Sequence, residues 1–190
     1  MTQLIEALSY PFVQRAIAAG VMISLCAALL GVILVLKQYS LIGHGLGDVG
    51  FASTSLAVAL GLPVMAVSIP IVVIAACLIM FWSQRSKTGG DTAIGMVATG
   101  ALSIGVIITA MSSGFNVDVN GYMFGSILAM SREDVIFSVV LSIVILVLFV
   151  VFYNRLFLIT FDENFAKASG IRVGFYQFLI ALLTALTVVM

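Results

Sequence analysis

Long apolar runs separated by short polar breaks dominate the chain. The first runs from Phe12 to Leu36, interrupted by Gln14 and Arg15, and ends at Lys37-Gln38-Tyr39-Ser40. At about 1.5 Å per residue it is long enough to cross a hydrocarbon core of about 30 Å. Further spanning helices are expected near 42–61, 63–82, 92–111, 134–153 and 175–190. Pro63 separates the second from the third, because proline cannot continue a helix from before it. The polar stretch "SQRSKTGGD", 83–91, separates the third from the fourth, and Asp91 reads as the N-cap of the fourth. Ser131 followed by Asp134 has the spacing of a capping box and opens the fifth. Between them, Tyr122–Met130 is apolar but too short to span, so 120–130 reads as a short interfacial or re-entrant helix. The last run is still apolar at Met190, with about 16 residues against the roughly 20 a span requires. It therefore reads as a chain truncated at its C-terminus. The expected fold is all-α: one polytopic transmembrane helical bundle over residues 1–190.

Composition agrees with this pattern. The chain is 63% hydrophobic and only 8% charged, and its mean hydropathy is +1.28. A soluble domain carries about 25% charged residues, so this chain lacks the polar groups to cover itself in water. Net charge is zero, which leaves no basic face to recruit nucleic acid. Cys26 and Cys77 both lie inside apolar runs and read as small buried hydrophobes rather than a disulfide. The N-terminus lacks the basic start of a signal peptide and carries Glu6 and Pro11. Placing 154–174 in the cytoplasm puts Lys37, Arg85, Lys87, Arg155, Lys167 and Arg172 inside and only Arg15 and Arg132 outside, as the positive-inside rule requires.

Two stretches carry candidate chemistry. "LIGHGLGDVGF", 41–51, holds the only histidine, His44, four residues before Asp48. In a helix, positions i and i+4 share a face, so imidazole and carboxylate can point into the same space. Those two groups suit zinc, manganese or ferrous iron. Two ligands do not make a transition-metal site, but a two-fold axis would supply the pair twice. The same spacing also fits a plain His–Asp hydrogen bond that satisfies two polar groups near the membrane surface. Gly43 and Gly47 form a small-xxx-small surface on which helices can approach closely. The second stretch is "FDENFAKASGI", 161–171: Asp162 is a good N-cap and Gly170 a good C′ residue around a short helix near 162–170. Taken alone it is a solvated connecting helix. No Gly-Lys-Ser/Thr phosphate loop occurs, so any ATP that drives the protein would bind another subunit.

Three blocks together resemble the permease subunit of ABC-type zinc/manganese/iron uptake transporters. They are "YSLIGHGLGDVGF", "DTAIGMVATGALSIGV", and "YMFGSILAMSREDV" followed by "FDENFAKASGI". Their order and spacing fit over nearly the whole chain. The resemblance implies a non-enzymatic transporter subunit in the bacterial plasma membrane, with no permanently bound cofactor and a divalent metal ion as cargo. It implies a homodimer or pseudo-dimer, two cytoplasmic ATP-binding subunits and a metal-binding lipoprotein or periplasmic protein as partners. It also makes 161–171 the helix that docks into the ATPase, with Asp162, Glu163, Phe165, Ala166 and Gly170 as its coupling residues. His44 and Asp48 would contact the metal. The family's motif usually places the acid first and the histidine four residues later; here the order is exchanged.

Other functions fit less well. A permease for a metal chelate, siderophore- or cobalamin-like, would not need His44 or Asp48. A secondary carrier needs intramembrane acids for coupling, and the third, fourth and fifth runs have none in their middles. A membrane protease would have to use His44 with a nucleophile motif, and none stands out.

Overall fold

The computed structural model describes residues 10–85, 90–111 and 132–190. The short helix expected near 120–130 and the Ser131 capping position lie outside them. Seven helices follow in order among the described residues: α1 Pro11–Leu36, α2 Ile42–Leu60, α3 Val64–Arg85, α4 Gly90–Met111, α5 Arg132–Phe161, α6 Glu163–Ala168 and α7 Val173–Val189.

Helix ends follow local chemistry. Pro11 sits in the first turn of α1, where its missing N–H costs nothing. α1 stops in a left-handed turn at Gln38 (φ 60°), where the Tyr39 N–H donates to the Leu34 carbonyl and the Gln38 N–H to that of Val35. α5 continues to Phe161, beyond the end expected at Tyr153. The polar pair Asn154-Arg155 follows that expected end without stopping the helix. Instead Arg155 Nη1 donates to the Tyr176 hydroxyl at 2.5 Å, and Leu156 and Ile159 are buried in the core, so the helix has reason to go on.

Among the described residues, four helices are long and apolar enough to cross a membrane: Pro11–Leu36, Val64–Trp82, Gly90–Met111 and Val135–Phe161. α2 falls short because four glycines, His44, Asp48 and three hydroxyl residues dilute it, and α7 because it has 17 residues. These two are the inside of the bundle. Ten of the 17 residues of α7 and nine of the 19 of α2 are buried, against five of 26 in α1, so α1 is peripheral and α2 and α7 are central. α7 packs on α1, α2, α3 and α5, while α2 packs most extensively on α4.

α2 and α4 run parallel. Their contacts rise together, from Leu41 with Asp91, through Gly45 with Ile94 and Phe51 with Gly105, to Ser55 with Thr109. The close approach depends on Gly45, where a Cβ would lie 2.5 Å from Ile94 Cγ2. At the far end the Thr109 hydroxyl donates to Ser55 Oγ at 3.1 Å. Such small-residue contacts and hydroxyl bonds between helices are what hold membrane bundles together.

Candidate metal-contacting face and connecting helix

The head of α2 has two unlike faces. Ile42, Gly45, Leu46, Asp48 and Val49 turn inward and are buried. Gly43, His44 and Gly47 are exposed, with His44 one turn before Asp48 on the same side of the helix. The expected pair meets: His44 Nε2 stands 3.8 Å from Asp48 Oδ2. That is too far for a direct hydrogen bond and leaves both groups able to contact a third atom. The two side chains differ in surroundings, His44 being 80% exposed and Asp48 10%. No group of three His, Cys, Asp or Glu residues converges among the described residues, so one copy offers an ion two ligands.

The glycines divide differently from the sequence expectation. Among the described residues nothing lies within 4 Å of a Cβ built at Gly43 or Gly47, and the α2–α4 approach is made at Gly45 instead. Sequence spacing identified a small-residue surface but could not say which glycines face a neighbour in the same chain.

Asp91 also differs. It does not precede α4 but stands in its first turn, and its Oδ1 accepts the backbone N–H of Leu41, the residue before α2. The acceptor reaches across 50 positions of sequence, which no local pattern could reveal.

The connecting helix α6 is capped at both ends by its own sequence. Asp162 Oδ1 accepts the Phe165 N–H at 2.9 Å. At the other end Gly170 takes φ 78°, Ile171 N–H donates to the Ala166 carbonyl and Gly170 N–H to that of Lys167. This is a Schellman closure, which a left-handed residue makes possible. Ala166 is fully buried against the bundle while Phe165 projects outward, 57% exposed. Glu163 ties α6 to its surroundings: Oε2 accepts from Gln177 Nε2 of α7 at 3.1 Å, and Oε1 meets Lys167 Nζ at 2.7 Å. Lys37, just past α1, has its pKa lowered by burial, and the charge of Glu163 partly opposes that shift. Gln177 escaped the sequence reading and Lys37 was read there only as a cytoplasmic charge, because only the tertiary fold brings them to Glu163 of α6.

Known proteins share this architecture. The manganese transport system membrane protein MntC of Halalkalibacterium halodurans is 29% identical over 184 residues, covering 97% of this chain and 63% of that protein. The manganese import system permease protein ScaB of Streptococcus gordonii is 28% identical over 177 residues, covering 93% of this chain and 63% of that protein. The chain thus spans less than two thirds of the length of either relative. Among solved structures, PsaBC from Streptococcus pneumoniae in complex with Fab superposes with a TM-score of 0.80 at 27% identity, over 99% of this chain and 68% of that one. An inward-facing metal-chelate type ABC transporter matches with a TM-score of 0.74 at 18% identity, a likeness of fold alone. Residues 9–190 match the ABC 3 transport family, and with that match over an all-helical, multi-pass membrane bundle the chain belongs to this family.

Proposed function

We propose that this chain is the permease part of an ATP-driven importer of divalent metal ions, with manganese as the first candidate because relatives across its length carry that name. It sits in a bacterial plasma membrane with α6 toward the cytoplasm. Two copies, or two related chains, face each other across the open side of α2. Two ATP-binding subunits dock at α6, and a metal-binding lipoprotein or periplasmic protein delivers the ion from outside.

The observation that carries this reading is the head of α2. One face is clamped to α4, and beside it exposed His44 stands over mostly buried Asp48, with nothing among the described residues within 4 Å of a Cβ at Gly47. A second copy on that face would turn two ligands into four. A mixed imidazole–carboxylate set suits manganese, ferrous iron or zinc and carries the negative charge needed to draw a dication out of water. α6 is suited to transmit force, since both its ends are capped, Ala166 seats it on the bundle and Phe165 is left free to enter a partner's cleft.

Uptake of radiolabelled manganese in cells expressing the chain with its neighbouring ATPase and binding-protein genes tests the reading. His44→Ala and Asp48→Ala should each lower uptake by at least the roughly 10- to 100-fold that losing even a supporting metal partner costs. Uptake of a chelated metal that survives both substitutions would favour a chelate permease instead.

A further inference from the structure

We infer that Asp91 is a positioning residue for the metal-contacting face: its carboxylate holds the head of α2 in the register that presents His44. The inference rests on the reading of His44 and Asp48 given above and concerns a residue of a different helix.

His44 depends on its backbone for orientation. Its side chain is mostly exposed, and among the described residues its one polar neighbour is Asp48, on the same helix. The backbone there belongs to the first turn of α2, where N–H groups lack partners within the helix and ends fray. Leu41, the N-cap position, has no side chain able to cap that turn. The missing acceptor comes from α4, where Asp91 Oδ1 takes the Leu41 N–H at 3.2 Å. A carboxylate at that place also opposes the positive end of the α2 dipole while standing in the first turn of α4.

The surroundings are shaped for this contact. A Cβ at Gly90 would lie 2.6 Å from the Tyr39 ring and 2.8 Å from the Gln38 carbonyl oxygen, so only glycine lets the start of α4 lie against the 38–41 turn. One turn further on, Gly45 meets Ile94 in the same way. The turn, the carboxylate and the glycine contacts thus fix α2 along its axis and about it. Asp91 acts as a hydrogen-bond acceptor, not as a third ligand, since it joins no cluster with His44 and Asp48.

His44 is the only imidazole in the chain, so its ring signals in a nuclear magnetic resonance spectrum are unambiguous. The protein in lipid nanodiscs is titrated with Mn²⁺, whose paramagnetism broadens the signals of the ring it approaches. Asp91→Asn keeps the Oδ1 acceptor and should broaden at the wild-type concentration. Asp91→Ala, and Asp91→Ser with a hydroxyl too short to reach, should need about 10-fold more Mn²⁺, the scale of a lost helix cap. Ala and Ser variants that broaden like wild type overturn the inference, as does an Asn variant that loses as much as Ala. Amide exchange at 41–45 is read in parallel and must accelerate in the Ala and Ser variants but not in Asn. Unchanged exchange in all three also overturns it. If wild type is not broadened, the metal reading falls, and amide exchange alone then decides whether Asp91 holds the head of α2.

Discussion

α2 and α5 follow opposite rules. α5 contains the most apolar window of the four spanning candidates, with a mean hydropathy of 3.4, yet only 28% of that window is buried. It turns Ile136, Val140, Val147, Val150 and Val151 outward. α2 is too polar to qualify as a span by composition, yet it buries Asp48, Ser53 and Ser55. In water this arrangement would be inside out. In lipid it is reasonable, because hydrocarbon is as good a solvent for valine as another valine is. Helices then associate through close backbone approach and hydrogen bonds, which α2 supplies and the outer face of α5 does not. For this protein, burial does not follow apolarity: α2, rich in small and polar residues, and strongly apolar α7 share the interior.

The largest effect should come from filling the α2–α4 seam. Gly45→Val places atoms where Ile94 already stands and should cost about 3 kcal/mol or prevent folding, read as the thermal transition of the purified protein. Val150→Ala on the exposed face of α5 should change stability by less than about 0.5 kcal/mol. Equal effects from the two would erase the contrast. Gly47→Val sharpens it further: with open space around it among the described residues, it should leave the thermal transition unchanged and weaken only self-association.

Smaller effects should appear in the turn leading into α2 and in the seam's polar bond. Gln38 holds a left-handed conformation that a side chain disfavours by about 1 kcal/mol, so Gln38→Gly should raise stability by about that much. Ser55→Ala removes the acceptor of the Thr109 bond and should cost about 0.6 kcal/mol, tested in a double-mutant cycle with Thr109→Val.

The smallest expected change is a pH effect. Burial lowers the Lys37 pKa in the folded protein, so between that value and the ordinary lysine value of 10.5 the unfolded chain binds more protons. Stability from this group therefore rises as pH climbs through that window and is reduced below it. Lys37→Met should flatten the rise. Glu163→Gln, by removing the charge that favours protonated Lys37, should move the rise to lower pH.

What could be read from sequence was local. Capping of α6 by Asp162 and Gly170, and the shared face of His44 and Asp48, need only spacings of a few residues, and helical geometry dictates them. Helical class and a membrane setting follow from apolar run length, because unpaired backbone groups cannot be left in hydrocarbon. The tertiary structure alone decided that Gly45 meets a neighbour while Gly43 and Gly47 stay open, that Asp91 serves Leu41, and that α5 passes Asn154-Arg155 because Tyr176 receives the arginine. It also put α2, the most polar of the long helices, in the middle. Those outcomes depend on pairs tens of residues apart, and lipid, unlike water, does not sort helices by apolarity, so composition carried no signal for them.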